Sequence, residues 1–212
     1  MAEILQVFDS FYRPQGAQPR EIVHRDGLWH QTFQCWLIRK RDDHIYVLFQ
    51  YRSPNKKDFP AMLDIPAAGH LNFDETKEDG IREIKEELGI DIDYRALRYL
   101  GIRTEVMEFP GFINKEIQHV YLLEDHTPLE EYTLQEEEVF GLVEVELNDG
   151  LRLLSGETDE IVCQSVFVEN GINQRKAYRM HREDMIHRID CYYKTIFIMA
   201  QRYFSGETYL SI

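Results

Sequence analysis

Apolar residues recur along the chain at two spacings, and the changes between them mark out its elements. Thr32 to Ile38 and Ile45 to Tyr51 are rich in β-branched and aromatic residues and flank the polar run RKRDDH at 39–44, the pattern of a β-hairpin. Tyr99 to Glu108 and Glu116 to Leu123 read as further strands with FPGFINK between them, and Val139 to Leu147 reads as another. Between 76 and 88 the spacing becomes helical: Ile81, Ile84 and Leu88 share a face, and Gly89 supplies the stop. From Lys176 to Phe204 the chain is aromatic and free of Gly and Pro, which predicts a packed C-terminal helix or helix pair. Residues 12–20, with two prolines and a glycine, and residues 53–75, with three prolines, read mostly as loop. Strands outnumber helices, and no repeat or linker interrupts them, so the fold class is α+β.

Length and composition narrow this further. At 212 residues with 43% hydrophobic residues, the chain suits one large domain, or one domain with extensions, around a sizeable core. Asp and Glu number 38 against 24 Lys and Arg, a net charge of −14 that repels nucleic-acid backbones and anionic membrane surfaces. Small phosphorylated ligands remain compatible, because carboxylates hold divalent cations that in turn hold phosphates. Cys35, Cys163 and Cys191 are widely separated and form no CxxC pair, so neither a disulfide framework nor a cysteine-built zinc site is expected. No apolar run is long enough for a spanning helix and the first residues do not resemble a signal peptide, so a cytoplasmic location is expected.

The helix at 76–88 carries the candidate chemistry. Glu83, Glu86 and Glu87 stand at i, i+3 and i+4 and share one face, opposite Ile81, Ile84 and Leu88. Taken alone, this is also how a solvated helix face looks, with Arg82 and Glu86 as an ordinary i, i+4 pair. The preceding loop makes the pattern specific. Gly69, five residues, Glu75, six residues, and then Arg82-Glu83-Ile84-Lys85-Glu86-Glu87-Leu88-Gly89-Ile90 resemble the Nudix box, with six rather than seven residues between Glu75 and Arg82. The resemblance implies a Nudix-type α/β/α sandwich on a mixed β-sheet, here with an added C-terminal helical segment. It also implies a Mg²⁺-dependent hydrolase of a diphosphate linkage in a small metabolite, such as a nucleoside diphosphate linked to a further moiety, with Mn²⁺ as a substitute metal. Glu83, Glu86 and Glu87 would then be catalytic residues and metal ligands, the Gly69 carbonyl a further ligand, and Arg82 an orienting residue. Mg²⁺ prefers oxygen donors and shares them with substrate phosphates, which is the chemistry such a cluster offers.

The flanks resemble one branch of that superfamily more closely, the type I isopentenyl-diphosphate isomerases. His24 and His30 match two histidines ahead of the first long strand, Arg52 and Lys56 a basic pair, and Ala68-Gly69-His70 a Cys-Gly-His motif. Asn114, Lys115 and Glu116 match a Glu-Asn-Glu strand motif. The resemblance implies a metal held by His24, His30, His70 and Glu116, and a substrate diphosphate gripped by Arg52 and Lys56. Isomerisation needs an acid and a base on opposite faces of the alkene, and Ala68 stands where the branch has its cysteine, so this chemistry is not expected. Glu136, Glu137 and Glu138 lie where many family members carry a loop glutamate that acts as base, and the sequence does not choose among them.

The resulting expectation is an N-terminal extension over 1–24, a hydrolase domain over 25–160 and a C-terminal extension over 161–212 packed on it. Its partner is a small diphosphate substrate, not nucleic acid or membrane. A homodimer through the aromatic C-terminal stretch and burial of that stretch within one chain both remain open, as does a non-catalytic ligand-binding module on the same fold.

Overall fold

A computed structural model describes residues 3–169 and 171–212. Strands β1 (Ile4–Phe8) and β2 (Pro14–Pro19) precede helix α1 (Arg20–Asp26) and the expected hairpin of β3 (Trp29–Arg41) and β4 (His44–Arg52). The hairpin turns through Asp42 and Asp43, both at positive φ, a conformation that short polar side chains tolerate best. Short strands β5 (Leu63–Asp64) and β6 (Ala67–His70) lead to α2 (Arg82–Leu88), then β7 (Leu97–Phe109), β8 (Phe112–Glu124) and β9 (Val139–Glu146). Helix α3 (Leu147–Ser155), β10 (Glu160–Glu169), β11 (Ile172–His181) and α4 (Tyr192–Phe204) complete the chain.

The sheet runs β11-β10-β9-β4-β3-β1-β2, and β8 lies parallel to β3 while pairing antiparallel with β7, so the sheet is mixed. Alternation along β3 and β4 sends Trp36, Ile38, Val47 and Phe49 into a core shared with α3 and α4. Phe33, Cys35, Leu37 and Leu48 enter a second core closed by Ile84 and Leu88 of α2. Burial on both faces explains why the centre of β3 reads as a continuous apolar run. This is the α/β/α sandwich that the resemblance implies.

Three expectations need correction. Residues 14–19 form an edge strand rather than a loop; its prolines sit at the two ends, where no ladder hydrogen bond is lost. The stretch 176–204 is not helical throughout, because Lys176 to His181 belong to β11 and pair with β10 in unbroken register from Glu160–His181 to Glu169–Ile172. The ten-residue ladder with β10 holds this segment extended as the edge strand of the sheet. Helix α2 begins at Arg82, after a 3-10 turn at Asp79–Ile81, because the Thr76 amide and hydroxyl both donate to Asp79 Oδ2 and tie residues 76–79 into a turn. It ends as expected at Gly89, whose φ of 72° lets its N–H reach the Lys85 carbonyl. Among the described residues, no helix is long and apolar enough to cross a membrane.

Candidate active site

Strand β6 pairs with β3, setting Gly69 opposite Phe33 and His70 opposite Thr32, and α2 packs across it. A Cβ on Gly69 would stand 2.0 Å from Glu83 Oε1, so the Glu83 carboxylate lies directly against the Gly69 backbone. One turn on, Glu87 accepts a hydrogen bond from the Ala68 amide at 3.1 Å. Glu83 and Glu87 are buried, whereas Glu86 keeps 54% of its side chain exposed. Arg82 ties the group together: it donates to Glu75 Oε1 at 2.6 Å, to Glu83, to Glu86 at 3.2 Å and to the His70 carbonyl at 2.9 Å. Glu75 in turn accepts from the Asn72 amide at 2.7 Å, so the loop with one residue fewer still places its glutamate on Arg82.

The electrostatics of this cluster invite a cation. Burial pushes the Glu83 carboxyl up to about 7 despite the Arg82 guanidinium, with Glu86 adding to the rise. Burial, and then Glu83, push Glu87 well above the ordinary carboxylate range. Two buried carboxylates beside a glycine cradle form an oxygen donor set that fits a hard divalent ion.

A second donor set adjoins it. One ring nitrogen from each of His24, His30 and His70 lies within 4.8 Å of the other two. His24 Nδ1–H donates to the Arg20 carbonyl at 3.0 Å and His30 Nδ1–H to the Leu28 carbonyl at 3.0 Å; since a carbonyl only accepts, Nε2 carries the lone pair in both rings. His70 Nδ1 faces Glu3 at 3.1 Å. His30 Nε2 is buried without a hydrogen-bond partner among the described residues. Burial and the neighbouring His70 lower His24, and lower His30 to about 4, so both rings are neutral near pH 7. Glu116 lies opposite His30 on β8, an interior strand, and accepts from Asn114 at 2.8 Å and Gln118 at 2.7 Å. Burial alone would raise its pKa, but facing His30 and His70 brings it below the usual value.

Both sets open on one cleft of about 380 Å³, also lined by Arg52, Lys56 and Glu138. Arg52 is held by the Phe59 carbonyl at 3.1 Å, the Asp58 carbonyl at 2.8 Å and Asp64 at 3.5 Å, and Lys56 pairs with Glu138. Of the three successive glutamates, Glu138 alone lines the cleft, while Glu136 and Glu137 are exposed. The structure thus brings together Gly69, Glu83, Glu86, Glu87, Arg52, Lys56 and the three histidines.

A family model of the NUDIX domain matches residues 28–162. The chain belongs to the Nudix family. An uncharacterised Nudix hydrolase of Clostridium acetobutylicum is 35% identical over 195 residues, covering 92% of this chain and 95% of that protein. An isopentenyl-diphosphate Delta-isomerase of Paenarthrobacter aurescens is 32% identical over 122 residues, 57% of this chain and 65% of that enzyme. Among solved structures, DR0079 from Deinococcus radiodurans shares the fold with a TM-score of 0.53 at 19% identity, covering 73% of this chain and 90% of that one.

Several cleft residues lie outside the matched Nudix stretch: Glu3, Arg20 and His24 before it, and Ile186 and Arg188 after it. Apart from His24, sequence reasoning missed these, along with Asp64 and Glu105. No local pattern announces them, because each reaches the cleft only through the packing of distant segments.

Proposed function

We propose that this Nudix protein hydrolyses the diphosphate bond of a small phosphorylated metabolite, with Mg²⁺ as the preferred metal and Mn²⁺ as a substitute. The observation that supports it most is the convergence of Glu83, Glu86 and Glu87 with the Gly69 backbone at one end of a cleft whose wall carries Arg52 and Lys56. Glu83, Glu86, Glu87 and the Gly69 carbonyl would hold the metal, which when bound neutralises phosphate charge and sharpens a water nucleophile. Arg82 keeps the glutamates aligned, and Arg52 and Lys56 grip the diphosphate. Glu86, the most exposed of the three, is the one best placed to take a proton from a solvent-derived water. The water oxygen adds to phosphorus as one bridging P–O bond breaks, and the departing phosphate carries away the electron pair.

His24, His30 and His70 converge as a second donor set with nitrogen ligands suited to a transition metal, to which Glu116, opposite His30, would add an oxygen; the unpartnered His30 Nε2 supports this reading. The isomerase alternative is disfavoured by Ala68, whose methyl group holds no proton to give. The test is phosphate or nucleotide release from a panel of sugar nucleotides, dinucleotides and isoprenoid diphosphates, with Mg²⁺ and with EDTA, for the parent and Glu86→Gln. Metal-dependent turnover that falls at least about a hundredfold in the variant is the expected result. Tight ligand binding without turnover of any panel member would instead make the chain a binding module.

A further inference from the structure

The C-terminal segment between β11 and α4 is strapped to the cleft wall. The Ile186 amide donates to the Leu63 carbonyl at 3.1 Å beside Asp64 of β5, and the Tyr193 hydroxyl donates to the Ile186 carbonyl at 3.0 Å. This strap delivers Arg188, whose side chain is only 5% exposed yet lines the cleft. Its guanidinium donates to Asp64 Oδ1 at 2.9 Å, to Glu105 Oε2 and to the Tyr193 hydroxyl at 3.1 Å. Asp64 also faces Arg52 at 3.5 Å, and Glu105 also accepts from Arg103 at 2.8 Å. The wall is therefore a ladder of alternating charge in which Arg188 is the central cation. A guanidinium has five N–H bonds, and three are used here. The other two have no acceptor among the described residues.

We propose that Arg188 is a substrate-binding residue that completes the anion-binding wall of the cleft: it offers its free N–H bonds to the diphosphate and cancels the charge of Asp64 and Glu105, which would otherwise repel it. The inference rests on the diphosphate reading of the cleft and extends it to a residue beyond the Nudix-matched stretch. Without Arg188, two buried carboxylates would face a dianionic ligand, with only Arg52 and Arg103 against them.

The test is calorimetric titration with methylenediphosphonate, a diphosphate analogue that water does not cleave, in the presence of Mg²⁺, alongside thermal unfolding. Arg188→Gln is expected to weaken binding by about tenfold or more, and Arg188→Lys, which keeps the charge but has no N–H bond to spare for the ligand, by about threefold or more. A purely structural role would lower the unfolding temperature of both variants and leave the dissociation constant in place. Binding by folded Arg188→Gln within about twofold of the parent overturns the proposal, as does failure of the parent to bind the analogue. If Arg188→Gln does not fold, the double variant Glu105→Gln/Arg188→Gln, which removes one cation and one anion together, is read against Glu105→Gln by the same criteria. Absent turnover on every substrate, with the analogue still bound, would sink the hydrolase reading and leave this one standing.

Discussion

Glu83 concentrates the conflict from which the site is built. Its carboxyl is buried against the Gly69 backbone, and that burial pushes its pKa up from an ordinary 4.5 to about 7. A carboxyl whose folded pKa is raised favours the native state when protonated, and that contribution is lost as pH rises from about 4.5 through 7. His30 has the opposite sign: with a folded value near 4 and an ordinary value of 6.5, it penalises the native state as pH falls through that window. Because the two windows overlap, the parent's own profile hides both effects, and a difference measurement is needed. In EDTA, the stability of Glu83→Gln relative to the parent is expected to rise by an amount on the order of 3 kcal/mol between pH 5 and pH 8, by chemical denaturation. Saturating Mg²⁺ should remove that trend, since a bound cation takes over the proton's role; a flat difference in EDTA would show that Glu83 ionises normally. At the neighbouring position, Gly69→Ala puts a methyl 2.0 Å from Glu83 Oε1. Displacing that carboxylate should weaken Mg²⁺ binding by about tenfold or more in calorimetry, with little change in metal-free stability.

Close approaches of the helices run through glycines here. Gly80, in the turn leading into α2, stands where a Cβ would be 2.5 Å from Phe33 Cβ, so the turn can seat α2 on the sheet only with hydrogen at that position. Gly150 of α3 does the same for α4: a Cβ there would meet the Phe197 ring at 2.4 Å. Helix propensity alone would make Gly150→Ala stabilising by about 1 kcal/mol. Overpacking against a fully buried ring opposes this, so the variant is expected to be destabilised by about 1–3 kcal/mol in urea unfolding. A gain in stability would mean that α3 and α4 are not pressed together as described.

At the scale of the molecule, both flanks of the Nudix-matched stretch are integral to the fold. β1 pairs with β3 and bridges the box loop through Leu5 and Asn72, while α4 places Tyr192, Ile196, Phe197 and Ala200 in the core with Trp36 and Phe49. The Trp36 indole N–H donates to the Tyr192 hydroxyl at 2.9 Å, and that hydroxyl donates to Gln34 at 2.6 Å, so a buried polar chain also depends on α4. Truncation after His181 should therefore abolish cooperative thermal unfolding, because it strips α4 from the face of the sheet that it covers together with α3 and leaves Trp36 and Phe49 exposed. A cooperative transition in the truncated chain would show that residues 1–181 suffice for the fold.

The α2 glutamates, the β3–β4 hairpin and the α+β class were legible from the sequence because each rests on a local signal, helical spacing or β-rich runs around a polar turn, whereas the Gly69 loop and the three-layer arrangement came from the resemblance to the Nudix box. Even the adjacency of His24, His30 and His70 came only from resemblance, since their separation along the chain says nothing about a 4.8 Å cluster. The strand at 172–181 was missed because a ladder with β10 outweighs local composition, and the edge strand at 14–19 because terminal prolines resemble a loop. Glu138 was not separable from Glu136 and Glu137, nor was Arg188 visible as a cleft residue. Which of several like charges faces a cleft depends on strand register and on the path of a distant segment, and both are set by burial of the whole core rather than by any neighbouring residue.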